Sequence, residues 1–148
     1  MRITQEADYA LRIACMLAQS GEERESAAEI AERTTVSARF TLKILHKLVN
    51  GGIVRSYKGA NGGYALARGA EDITLRDVIE LIDGPLAISK CISDSQQCSR
   101  EGVDKSECIL YHIFCRINDG VAGKLAGISI ADITGESADM LAVLKKLD

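Results

Sequence analysis

Residues 38–50 read ARFTLKILHKLVN, and they are followed at once by Gly51-Gly52 and then by IVRSYKGANGGYALAR. Few folds accommodate that succession. Leu42, Leu45, Leu48 and Val49 form an apolar stripe, while Arg39, Lys43, His46, Lys47 and Asn50 recur on the other side at spacings of three, four and seven. The spacing predicts an amphipathic helix with one basic face, started by Ser37 as N-cap and stopped by Asn50 and the two glycines. Upstream, SAAE at residues 26–29 is a capping box that opens a short helix, and TTVS follows as a turn. A short helix, a tight turn and a helix with a basic face make a helix-turn-helix, whose second helix fits the DNA major groove. The β-prone runs Ile53–Tyr57 and Tyr64–Ala67 flank a glycine-rich turn and predict a hairpin. Placed directly after a helix-turn-helix, such a hairpin is a wing.

Charge supports an anionic partner. Residues 1–70 carry 10 Lys+Arg against 7 Asp+Glu, whereas residues 71–148 carry 8 against 14. The stretch from Arg33 to Ala70 has seven basic residues and no acidic one. A basic block in an otherwise acidic chain points to one anion-binding face, although a charge run alone fits a merely solvated surface equally well. The DNA contacts expected are Ser37, Arg39, Thr41, Lys43 and Lys47 on the recognition helix, with Lys58 and Asn61 at the wing tip. His46 reads as a surface residue facing DNA or solvent. The glycine-rich turn matches no phosphate-binding loop, because no helix starts directly after it.

The rest of the chain reads as mainly helical. Ala7, Ala10, Leu11, Ala14, Leu17 and Ala18 place a helix at about residues 4–20, with Cys15 in its core. Thr74-Leu-Arg-Asp77 is a capping box for a helix to Asp83, ended by Gly84-Pro85. A long helix is expected from Ser106 to about Ala126. Its stripe of Ile109, Leu110, Ile113, Phe114, Ile117, Val121 and Leu125 is too broad for one side of so small a monomer, and burial against its own copy explains it. The expected architecture is mainly α with a small β-hairpin wing. Residues 1–83 form a winged helix-turn-helix domain, 84–107 a cysteine-containing loop, and 108–148 a dimerisation helix with a C-terminal helical segment. No apolar run approaches the ~20 residues that span a bilayer, and the start of the chain is amphipathic rather than signal-like, so the cytoplasm is expected.

Four of the five cysteines fall in KCISDSQQCSREGVDKSECILYHIFC, with spacing Cys91-x6-Cys98-x9-Cys108-x6-Cys115. The loop is polar and has little of its own to pack. No C-x2–4-C pair of the structural zinc type is present. Stable disulfides are disfavoured in the cytoplasm. Spaced thiolates in a loop suit an iron–sulfur cluster, which would order the segment in place of an apolar core.

With MRITQEADYALR, the helix-turn-helix, YKGANGGYALAR, ITLRDVIELIDG and the final AGISIADI, the chain resembles the Rrf2 family of bacterial winged-helix regulators over residues 1–134. The resemblance implies a homodimer on palindromic double-stranded DNA, and in many members an iron–sulfur cluster that controls binding. Three loop cysteines ligate the cluster in such members, and Cys91, Cys98 and Cys108 match them. This chain departs from IscR-type members in two ways. Nine residues separate Cys98 from Cys108, and Tyr111 stands where those members place a ligand histidine. His112 is one residue further on, a rotation of about 100° on a helix. The fourth ligand is open among three residues: Asp8, which matches an acid that NsrR-type members supply from the partner subunit, then His112, then Cys115. A two-iron and a four-iron cluster both remain possible. The function implied is a cluster-controlled regulator, probing redox state, nitric oxide or cluster status, that acts as a repressor. The alternative is a cluster-free regulator of the same fold, controlled by thiol oxidation or a protein partner. An enzyme or electron carrier is disfavoured, since no nucleophile–base pair, Walker loop or zinc-hydrolase motif appears.

Overall fold

The computed structural model describes residues 2–93, 104–135 and 140–147. Helix α1 (Gln5–Ser20) starts where the Thr4 side chain accepts a hydrogen bond from the Ala7 amide. Helix α2 (Ala27–Thr34) opens on the reciprocal Ser26–Glu29 capping box, and α3 (Ala38–Asn50) follows after a three-residue turn. Gly52 then adopts φ +69°, a left-handed conformation that ends α3 with little cost only in glycine. Strands β1 (Val54–Tyr57) and β2 (Gly63–Leu66) pair antiparallel, with Val54 opposite Leu66 and Tyr57 opposite Gly63. The hairpin is anchored to the α1–α2 connection by an antiparallel bridge between Glu25 and Tyr64. A Cβ on Gly63 would lie 2.8 Å from the Glu25 carbonyl oxygen, so this close approach requires glycine.

Helix α4 (Leu75–Asp83) carries the expected Thr74–Asp77 capping box. A short helix α5 (Lys90–Ser93), not expected from sequence, begins the cysteine segment. Helix α6 (Ile109–Ala126) starts three residues later than predicted. A single 3-10 turn at Lys105–Glu107 occupies the predicted first turn, and Cys108 stands at the N-cap. Helices α7 (Ile130–Thr134) and α8 (Met140–Lys145) supply the C-terminal helical segment.

One core joins Ala10, Ile13, Ala14 and Leu17 of α1, Ile30 of α2, Ile44, Leu45 and Leu48 of α3, and Val54 of the wing. Ile130 of α7 lies in the same core at 0% exposure, so the chain returns from α6 to the first helices. Backbone bonds from Leu75 N–H to the Ile128 carbonyl and from Ile130 N–H to the Ile73 carbonyl fix that return. Cys15 packs half-buried against this core, and burial pushes its thiol up to about 11, as an inert structural cysteine requires.

The buried face of α3 differs from the predicted one. Thr41, Ile44, Leu45 and Leu48 point inward, and Leu42 is 50% exposed. The stripe rotates because positions 41, 44, 45 and 48 follow the i, i+3, i+4, i+7 rule more closely than 42, 45, 48 and 49. Thr41 is therefore not a DNA contact: it is fully buried, and its hydroxyl has no hydrogen-bond partner. A buried hydroxyl without a partner is destabilising. Thr41→Val should raise stability by about 1 kcal/mol in thermal or denaturant unfolding and leave DNA affinity unchanged.

Candidate nucleic-acid interface and cysteine segment

Helix α3 is held at an angle that leaves one face outward. The Phe40 ring meets Tyr9 of α1 edge-on, with centroids 5.8 Å apart. With Ile44, Leu45 and Leu48 locked in the core, Arg39, Leu42, Lys43 and His46 are left exposed, and Lys47 is half-buried at the margin. Asn50 and His46 bond to each other through side-chain nitrogens 3.1 Å apart. Ser37 stands at the N-cap and is exposed, yet its side chain makes no capping bond. The amide end of α3 is thus open to an acceptor such as a phosphate oxygen.

The wing follows α3 directly and its first strand packs against that helix. Lys58 and Asn61 are exposed at the hairpin tip. Arg24 sets the tip's geometry, since its guanidinium stacks 3.9 Å from the Tyr57 ring centroid and donates to the Asn61 carbonyl at 3.2 Å. Sequence reasoning missed Arg24, which lies 37 residues from Asn61.

Two members of the basic block serve the fold instead. Arg33 donates to Glu25 at 2.7 Å and to the Ser20 hydroxyl at 3.2 Å. Arg68 donates to the Asp72 carbonyl and reaches Asp77 at 3.4 Å. Glu6 of α1 was also missed. Its carboxylate pairs with Lys43 at 3.1 Å and Lys47 at 2.8 Å. The paired Lys47 ammonium, opposed by burial and helped by Lys43, holds Glu6 below the usual carboxylate range.

The cysteine segment is positioned from both ends. Buried Asn118 of α6 accepts a hydrogen bond from the Ile88 amide at 3.1 Å and ties the approach to α5 against α6. Ser89 Oγ and Cys91 Sγ are 2.8 Å apart, and Lys105 donates to the Cys91 carbonyl at 3.0 Å. Cys91, Cys108 and Cys115 are free and half-buried. Cys98 lies outside the described residues. The Tyr111 phenol is raised, chiefly by its hydrogen bond with Cys115 and further by burial and by the nearby Cys91.

The fourth-ligand candidates are engaged elsewhere. Asp8 pairs with Arg12 at 2.8 Å along α1. His112 Nε2 donates to the Ser106 carbonyl at 2.9 Å, which leaves Nδ1 as its free lone pair. Among the described residues, no three His, Cys, Asp or Glu side chains gather as a metal site within one chain. The donor chemistry fits a cluster in part. Two soft thiolate donors close the ends of the polar segment, the third cysteine falls between them in sequence, and a fourth ligand must come from a residue now otherwise paired. Among the described residues no helix is long and apolar enough to cross a membrane.

Comparison with known proteins bears on the fold. The Rrf2 family, described as iron-dependent transcriptional regulators, matches residues 3–136. An Rrf2-like HTH-type transcriptional regulator of Rhodobacter capsulatus is 33% identical over 121 residues, covering 78% of this chain and 80% of that protein. Protein aau3 of Rhizobium meliloti is 38% identical over 91 residues, which span 62% of this chain and 59% of that protein. The solved structure of CymR, the global cysteine regulator of B. subtilis, superposes with a TM-score of 0.73 at 27% identity, covering 93% of this chain and 98% of CymR.

Proposed function

The chain belongs to the Rrf2 family of transcriptional regulators, and from that premise we propose a homodimeric repressor that binds a palindromic operator under the control of an iron–sulfur cluster. The observation that carries the cluster is the pair of half-buried free thiols, Cys91 and Cys108, at the two ends of the polar segment joining the DNA-binding half to α6. Cys91, Cys98 and Cys108 would hold it, with Asp8 of the partner subunit as the fourth ligand. When bound, the cluster supplies a redox- and nitric-oxide-sensitive link whose loss releases the segment. The chain's own residues do the DNA work. Arg39 and Lys43 offer donors to base edges, Ser37 and the open amide end of α3 meet a phosphate, and Lys58 and Asn61 reach from the wing.

Anaerobic purification with visible spectroscopy and iron counting tests the cluster. A colourless protein after iron reconstitution would sink it. The recognition face is tested by Arg39→Ala in a salt titration. A lost base contact should weaken operator binding by about 1–3 kcal/mol, whereas Lys58→Ala should chiefly flatten the salt dependence. Wild-type affinity and slope in both variants would remove α3 and the wing from the interface.

A second reading has one observation of its own. Tyr111 interacts with both Cys115 and Cys91, and the three thiols Cys91, Cys108 and Cys115 are free, so thiol oxidation without iron is open to them. It predicts a colourless protein whose DNA affinity changes with peroxide and recovers with a dithiol.

A further inference from the structure

Lys43 and Lys47 stand one turn apart on the recognition helix, and both end on one carboxylate. Glu6 Oε2 is 3.1 Å from Lys43 Nζ, and Glu6 Oε1 is 2.8 Å from Lys47 Nζ. The Glu6 side chain is 19% exposed, against 54% for Lys43 and 36% for Lys47, so the acid lies beneath the two ammonium groups rather than beside them. Glu6 cannot simply swing away with them. It sits in the first turn of α1, whose N-cap residue Thr4 also donates its amide to Asp83 at 3.0 Å, and α1 is braced against α3 through Tyr9 and Phe40.

Sequence-independent DNA binding comes from cations that neutralise phosphates and release counterions. Two lysines that share a carboxylate present less charge than two free ones. A lysine that turns outward to a phosphate also leaves Glu6 unpaired close to a polyanion. A lysine that reaches a guanine edge in the groove floor meets neutral acceptors instead. We propose that Glu6 is a specificity-determining positioning residue, which holds Lys43 and Lys47 inward over the face of α3 and so suppresses phosphate binding to any sequence in favour of base contacts in the operator. The inference rests on the DNA-binding reading above and goes beyond it by assigning the selectivity to an acid outside the recognition helix.

The test compares wild type and Glu6→Gln as full-length protein. Each is titrated with salt on a random-sequence duplex and on an operator selected from a random pool by the wild type. The variant should bind the random duplex about tenfold more tightly, with a salt slope steeper by about one to two, since each phosphate neutralised contributes about 0.9. Operator affinity should rise less, so the ratio of the two falls. An unchanged random-duplex affinity and slope would overturn the proposal. The Lys43→Ala/Lys47→Ala background separates positioning from a general loss of negative charge. There, Glu6→Gln should change affinity less than about twofold, as expected when coupled groups are removed together. An equal effect in both backgrounds would overturn the positioning role. A reading independent of the Glu6 variant comes from the two-lysine variant itself. Its random-duplex slope should shift by less than one, because both lysines are already committed, and a loss near two would reject the claim. A wild-type protein that selects no sequence from the pool rejects the operator reading itself, an outcome distinct from all of these.

Discussion

Serine in place of Cys91, Cys98 or Cys108 is expected to leave the protein colourless and without iron after anaerobic reconstitution. An iron–sulfur cluster is held by thiolates, and an alkoxide is not available from serine at neutral pH, so one substitution removes a bond rather than weakening it. The controls lie in the same chain. Cys15→Ser should keep full iron, because that thiol is packed against the core and burial pushes it up to about 11. Cys115→Ser should also keep it, since Cys115 lies two turns beyond Cys108, about 10 Å along the helix, and is engaged with Tyr111. Asp8→Ala should retain a cluster that is labile and spectrally changed. That variant also frees Arg12 from its ion pair, an exposed i,i+4 contact worth little to the fold, so an effect on iron is not a stability effect. Full iron in Cys108→Ser would reject the ligand assignment. The comparison that links cluster to function is operator affinity of the iron-loaded and iron-free protein at one salt concentration. Equal affinities would reject the switch, because only a group that favours one arrangement of the recognition helices can shift binding.

The local elements were legible because local chemistry makes them. Ser26 with Glu29 and Thr74 with Asp77 are capping boxes in both sequence and structure, and the glycines after Asn50 stop α3 as read. The hairpin was legible from its two β-prone runs. What escaped was the side chains' choice among partners far apart in sequence. Six large apolar residues crowd α3, and packing on α1 and α2 decides that Ile44 goes in and Leu42 out. The basic block pointed to one face for an anionic partner. It gave no sign that Arg33 and Arg68 are tied to Glu25 and Asp77, or that Glu6 holds two lysines, because each partner lies outside the block. The return of Ile128 and Ile130 to the core was hidden for the same reason: AGISI carries no local signal of which sheetless edge it will join. For the cysteines, spacing narrowed the chemistry to a cluster or a thiol couple. The Tyr111–Cys115 contact keeps both in play, and a Tyr at that position could not be read for either.

Aspartate at Ile113 is expected to make the protein monomeric and to abolish tight operator binding. Helix α6 presents Ile109 at 73%, Leu110 at 47%, Ile113 at 46% and Ile117 at 50% exposure along one side, spaced i, i+1, i+4 and i+8. Its other side carries the buried Asn118 and Ala122 that fasten it to the rest of the chain. Each of these large side chains gains about 1.5–3 kcal/mol when fully buried, so an uncovered row of four is a strong drive to associate. Two-fold symmetry brings the same row from both copies together, and it counts a single substitution twice. An unpaired carboxylate there costs several kcal/mol per copy to bury, enough to weaken the dimer by a factor of a thousand or more at about 1.4 kcal/mol per tenfold. The monomer itself should melt normally, since the main core contains no residue of α6. DNA binding should fall with the dimer. A palindromic operator offers two half-sites about 34 Å apart or a multiple of that, and one α3 can engage only one of them. The loss should therefore be large on the full operator and small on an isolated half-site, read by sedimentation and by binding to both duplexes. A dimer that persists in Ile113→Asp would place the interface elsewhere. A monomer that still binds the full operator at wild-type affinity would mean that the two recognition helices never acted together.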